Sequence, residues 1–144
     1  MRVEHITQAD EVLVAGIAAL LTQLSPHRAP PDLAALQEIT ALAGTSLLVV
    51  RDGDAVLGML TLVLYRVPTG RRGLIHDVVV DESARGRGVG EALTMEALRR
   101  AGEVGAISVE LTTRPEREAA NRLYQRLGFE RRETNVYVWR PDRT

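Results

Sequence analysis

Residues 77–90 read Asp77-Val78-Val79-Val80-Asp81-Glu82-Ser83-Ala84-Arg85-Gly86-Arg87-Gly88-Val89-Gly90. The segment from Leu74 to Asp81 suits a strand, and its unbroken valines suit one covered on both faces. A short acidic link follows, then glycines at alternate positions among arginines. From there Val89, Leu93, Ala97 and Ala101 recur on one side of a helix running to Val104, which Gly102 and Gly105 close. Ala106 to Thr113 alternates as another strand. Strand, helix and strand at this spacing imply a right-handed crossover and parallel pairing.

The loop at the centre of that unit suggests a chemistry. A helix start offers unpaired N–H groups and the positive end of the helix dipole to an anion. Gly86, Gly88 and Gly90 let the backbone approach it without a Cβ in the way. Arg85 and Arg87 add charge through paired donors. The pattern is neither the dinucleotide Gly-x-Gly-x-x-Gly nor a Walker loop, since no Lys-Ser/Thr follows. A flexible turn that merely joins strand to helix is the alternative.

Outward from this unit, Arg2 to Thr7 reads as a short strand and Thr7-Gln8-Ala9-Asp10 as an N-capping pattern. Val12, Leu13, Ile17, Leu20, Leu21 and Leu24 then follow helical spacing. Ser25 to Pro31 is a proline-rich loop, and a second helix runs from Asp32 to Ala43. Leu47–Arg51 and Ala55–Val67 read as strands joined at Asp52-Gly53. Pro68 to Gly73 reads as a basic loop. In it Arg71 and Arg72 are either a solvated turn or a greeting for an acidic substrate. Beyond Thr113, a capping pattern with Pro115 precedes a helix over Glu116–Leu127, with Ala119, Leu123 and Leu127 inward. Glu130–Glu133 and Val136–Arg140 read as a terminal hairpin.

Composition narrows the classes. The chain has 144 residues, which suits one domain, 1–144, with an α/β mixed sheet. Aromatics make up 3% and net charge is -1, so neither a stacking platform nor a basic field points to nucleic acid. All 18 basic residues are arginine. There is no cysteine, and His5 and His27 stand far from other ligand types, so no metal is expected. The start of the chain lacks an apolar leader, and Val56–Tyr65 is far short of a membrane span. The expectation is a cytoplasmic protein without membrane attachment. The terminal hairpin and exposed strand edges suit a homodimer.

Three blocks in order, Asp77–Asp81, Arg85–Gly90 and Asn121-Arg122-Leu123-Tyr124-Gln125-Arg126-Leu127-Gly128-Phe129, resemble the GNAT superfamily of acyl-CoA-dependent N-acetyltransferases. The resemblance implies a twisted sheet of about seven strands, splayed between strands 4 and 5, with about four helices. It implies acetyl-CoA as acyl donor, its pantetheine amides on the backbone of Val78, Val79 and Val80 beside a β-bulge. Arg85, Gly86, Arg87, Gly88, Val89, Gly90 and Glu91 would surround the pyrophosphate, and Asn121 would touch the same molecule. Tyr124 matches the family's usual general acid; packing at the core rim is the other reading. Some members, including glucosamine-6-phosphate acetyltransferases, show Glu-Asp before the valine run, where this chain has His76-Asp77. Either residue would serve as base, or water-borne deprotonation would suffice, and His76 also reads as a buried imidazole satisfied by a carbonyl. Tyr65, Arg66, Tyr137 and the Ser25–Asp32 loop fall where the family forms its acceptor pocket. The implied activity is acetyl transfer to a primary amine of a small molecule or peptide in a ternary complex. A non-catalytic acyl-CoA-binding sensor would keep the loop and the valine strand without needing Tyr124.

Overall fold

The computed structural model describes residues 1–142. In the first of its two units, Met1–Thr112, the elements are β1 (Glu4–His5), α1 (Glu11–Leu24), α2 (Leu33–Ala41), β2 (Thr45–Asp52), β3 (Ala55–Val67), β4 (Gly70–Val80), a 3-10 turn (Glu82–Ala84), α3 (Val89–Glu103) and β5 (Val109–Glu110). The strands lie in sequence order β1-β2-β3-β4-β5, antiparallel except for the parallel pair β4–β5. The second unit, from Thr113 on, carries α4 (Glu118–Arg126).

Two cores lie on the two faces of the sheet. On one, Leu13, Ile17 and Leu20 of α1 and Leu36 of α2 cluster with Leu47, Val49, Met59 and Val79. On the other, Leu60, Leu62 and Gly58 alternate along β3 beneath α3, whose Val89, Leu93, Ala97 and Ala101 are at most 2% exposed. Burying each of the larger aliphatic side chains contributes about 1.5–3 kcal/mol. Gly58 is the point of closest approach. A Cβ there would lie 2.5 Å from Val89 Cγ1 and 3.1 Å from Leu93 Cδ1. No helix among the described residues is long and apolar enough to cross a membrane.

Several expectations are corrected. The described residues form five strands rather than about seven, since Glu130 to Arg140 has no strand and is exposed throughout. Thr134-Asn135 lacks the glycine that sets a tight hairpin, and an isolated two-stranded hairpin is marginal. The strand over Ala106–Thr113 shrinks to Val109–Glu110, because its alternation continues past Leu74, the last β4 residue that pairs with it. Pro68–Gly73 is mostly strand. Val67 pairs with Gly70 and Arg66 with Arg71, leaving Pro68 and Thr69 as the turn. Asp10, not Thr7, caps α1, its Oδ1 accepting from Leu13 N at 2.8 Å. Thr113 does not cap α4, which starts after Arg117 without a side-chain cap. On α4 the buried residue is Tyr124, whereas Ala119 is exposed.

Candidate functional site

β4 is interrupted where the chemistry was expected. Met59 faces Val79 and Thr61 faces His76, so Leu60 stands opposite two β4 residues, Asp77 and Val78. This is a β-bulge, one extra residue bending the strand. Asp77 has φ +51°, and among the described residues it is the one non-glycine in left-handed backbone. Aspartate tolerates that region better than most side chains. Val79 is buried, whereas Val78 and Val80 are half-buried, so the valine run is not covered on both faces as expected. On its other edge β4 meets β5 only through Gly73–Val109 and Leu74–Glu110. The backbone from Ile75 to Val80 has no β5 ladder beside it.

His76 and Asp77 are both exposed. The His76 imidazole is exposed and makes no hydrogen bond among the described residues, which removes the reading of a buried imidazole satisfied by a carbonyl.

The link from β4 to α3 is fastened at its β4 end. Asp81 N donates to Leu57 O at 2.8 Å. Gln23 Nε2 of α1 donates to Asp81 Oδ1 at 2.7 Å, while Gln23 Oε1 accepts from Glu82 N at 3.1 Å. Ser83 N donates to Asp81 Oδ2 at 2.9 Å, and the Ser83 hydroxyl bonds the same oxygen. Those bonds, the Ser83 hydroxyl first and Gln23 next, hold the Asp81 carboxyl below its usual range. The Asp-x-Ser spacing is an Asx-turn signal legible in the sequence; the reach of Gln23 across 58 residues has no local signal.

Gly86 has φ +78° and Gly88 φ +81°, values that strain any L side chain. Arg85 N donates to Glu82 O at 3.4 Å and Arg87 N to Ala84 O at 3.3 Å, so the loop winds tightly on itself. Gly88 is the N-cap of α3 and offers no side-chain bond. The first N–H used within the helix is that of Ala92, which donates to Gly88 O at 3.0 Å. The amides of Val89 and Gly90 precede that bond. Nothing lies within 4 Å of where a Cβ on Gly86 or Gly88 would sit, so the space above the loop is open. Arg85 and Arg87 are exposed beside it. Val89, seated on Gly58, fixes the helix start against β3 where Gly58 pairs with Val80. The structure thus brings Val78–Val80, the bulge and the glycine loop into one strand-to-helix passage.

Tyr65 and Arg66 lie four and five residues along β3 from Thr61, the partner of His76. Arg66, in step with Leu60, Leu62 and Leu64, belongs to the α3 face of the sheet near the turn of the β3–β4 hairpin.

In the second unit Tyr124 is 8% exposed and packs edge-on against Phe129, with ring centroids 5.6 Å apart. Burial raises its hydroxyl pKa above the ordinary value, opposed in part by Arg117. Asn121 Nδ2 donates to Arg114 O at 3.0 Å and Arg117 O at 2.8 Å, tying the preceding turn to α4. Tyr137 lies in the exposed segment after it. Among the described residues no group of three or more His, Asp and Glu is placed to hold a metal ion.

An uncapped helix start thus follows a bulged strand in a five-stranded mixed α/β sheet. The acetyltransferase (GNAT) family model matches residues 14–129. The chain belongs to that family. A mycothiol acetyltransferase from Sanguibacter keddieii is 41% identical over 105 residues, which cover 69% of this chain and 32% of that protein. The chain therefore spans about a third of that relative's length. Glucosamine 6-phosphate N-acetyltransferase 1 from Oryza sativa subsp. japonica is 33% identical over 126 residues, 79% of this chain and 73% of the rice protein. A putative acetyltransferase from Agrobacterium tumefaciens superposes with a TM-score of 0.83 at 20% identity, over 97% of this chain and 100% of that one, a likeness of fold.

Proposed function

We propose that residues 1–144 act as one N-acetyltransferase domain, moving an acetyl group from acetyl-CoA to a primary amine of a small molecule or peptide. The observation that carries this reading is the uncapped start of α3 behind Gly86 and Gly88, both at positive φ and flanked by Arg85 and Arg87. That arrangement suits a diphosphate, which needs several converging donors. Arg85 to Glu91 hold the pyrophosphate in this proposal. The β4 edge from Val78 to Val80, without a β5 ladder, offers backbone groups to the amides of the pantetheine arm. The strands part there to admit it. Asn121 contributes its amide oxygen, its Nδ2 being committed to backbone carbonyls.

The amine nitrogen attacks the thioester carbonyl carbon, the C–S bond breaks, and no covalent enzyme intermediate forms. A bulge N–H near Val78 polarises the carbonyl. Tyr124 gives its proton to the departing thiolate, a role that a buried, protonated phenol suits. The proton lost by the amine leaves through water to His76 or Asp77, both exposed on the bulge. Glucosamine 6-phosphate, the substrate in the rice relative's name, is the first acceptor to try. A thiol-release assay with acetyl-CoA across amino sugars, amino acids and peptide N-termini tests the proposal. Release that depends on the acceptor supports it; coenzyme A binding without transfer to any amine overturns the enzymatic part.

A further inference from the structure

A groove of about 300 Å³ lies near the turn of the β3–β4 hairpin, lined by Gly44, Leu64, Tyr65, Arg66, Arg71 and Val104 among others. Its shape has a backbone cause. Gly44, at φ +86°, accepts a hydrogen bond from Leu64 N at 2.7 Å. A Cβ there would stand 2.4 Å from Leu64 O, so only glycine lets this segment run so close to β3. Val104 ends α3 at the rim and is 42% exposed. Leu64 and Val104 make the walls apolar.

The groove sets two positive charges side by side. Arg66 and Arg71 face each other directly across the β3–β4 ladder, a like-charge pair that costs stability. Neither guanidinium makes an ion pair or hydrogen bond among the described residues, although Arg71 O accepts from Ile107 N at 2.8 Å. Elsewhere Arg51 grips Glu4, Arg99 grips Glu96, and Arg72 reaches Ser108 and Thr69. Two unneutralised guanidinium forks over an apolar hollow complement an anion with an apolar body. At about 3.3 Å per strand residue, Arg71 stands about 30 Å along β4 from Val80, at the end away from the glycine loop. We propose that this groove is a second binding site, for a small organic carboxylate whose apolar part lies on Leu64 and Val104 while Arg66 and Arg71 hold its oxygens.

The test is a calorimetric titration of phenylacetate into the protein saturated with coenzyme A. Phenethylamine and inorganic phosphate serve as comparisons. Expected are one saturable phenylacetate site, weaker binding of phosphate, none of phenethylamine, and a loss of about tenfold or more in affinity in R66Q/R71Q. Val104→Trp, which fills the hollow from the rim, should block phenylacetate with the arginines intact. Melting gives a second readout. R66Q should melt no lower than the parent, because it relieves repulsion. Absence of saturable binding, phosphate binding as tightly as phenylacetate, equal binding by R66Q/R71Q, or a lowered melting temperature in R66Q overturns the proposal. Coenzyme A titrated separately reads the glycine loop, so failure there is distinguishable from failure here.

Discussion

Asp77 carries the strain in β4. At φ +51° an ordinary side chain costs about 1–2 kcal/mol, and a β-branched one more. Asp77→Val should therefore lower stability by at least that amount, whereas Asp77→Gly should hold or raise it; urea denaturation measures both. Equal losses would mean that the carboxylate, not the backbone, matters there. Tyr124 is the other residue whose environment makes a prediction. Tyr124→Phe removes only a hydroxyl, so the ring contact with Phe129 survives and turnover should fall about 10²- to 10⁴-fold with little change in acetyl-CoA binding. Its raised pKa fixes the sign of the pH effect. The phenol keeps its proton below the ordinary tyrosine value, so no alkaline fall in kcat should come from it between pH 7 and 9; stability is lost only as pH rises past about 10. A fall inside pH 7 to 9 that vanishes in the phenylalanine variant would contradict this. The sequence made the tyrosine visible by its place in a motif. It hid the positive φ, because aspartate, unlike glycine, does not advertise left-handed backbone.

Elements were readable where period and punctuation agreed. Val89, Leu93, Ala97 and Ala101 marked α3 from its first residue to within one of its last. The same logic failed at Pro68–Gly73, where glycines and arginines that look like a loop are paired strand, and at Glu130–Arg140, where alternation has no partner strand. Period reports which side chains share a face, not whether a neighbouring strand exists. The two-residue β1 shows what such a short strand needs. Arg51 Nε and Nη2 grip both Glu4 oxygens at 3.1 and 2.7 Å, fastening β1 to β2. The hydrogen bond from Arg51 holds the Glu4 carboxyl below its usual pKa, so its contribution is complete above about pH 4.5 and fades as pH falls through the lowered value. Glu4→Gln should cost about 1 kcal/mol at neutral pH and progressively less in acid, as pH falls through the lowered value. Chemical denaturation at neutral and at acid pH checks this; an equal cost at both would assign the effect to packing.

Across the molecule, the fold order was legible because strand, glycine loop and helix come in sequence, whereas the contact that seats the loop was not. Gly58 lies in an apolar run with no punctuation around it, and its need to be glycine comes from α3 pressing on it from 31 residues away, through Val89. Under the proposed function this contact couples stability to anion binding at the loop. In Gly58→Ala the new Cβ would meet Val89 Cγ1 at 2.5 Å and Leu93 Cδ1 at 3.1 Å, with Val79 O at 3.3 Å, so α3 has to lift. Overpacking of this kind costs about 1–3 kcal/mol. The lifted helix start carries the Val89 and Gly90 amides with it. Loss of one charge-assisted bond there corresponds to about a tenfold rise in the Kd for coenzyme A. Val89→Ala alone leaves a cavity and costs stability as well. Combined, the two substitutions remove the clashing γ carbons and fill part of the hollow, so their costs should not add. The double variant should be more stable than the sum of the singles predicts, by about 0.5–3 kcal/mol, and should regain coenzyme A affinity relative to Gly58→Ala. Denaturation and calorimetry on the four proteins of the cycle measure both terms. Additive losses, or affinity that stays low when stability returns, would show that this contact does not set the position of the loop.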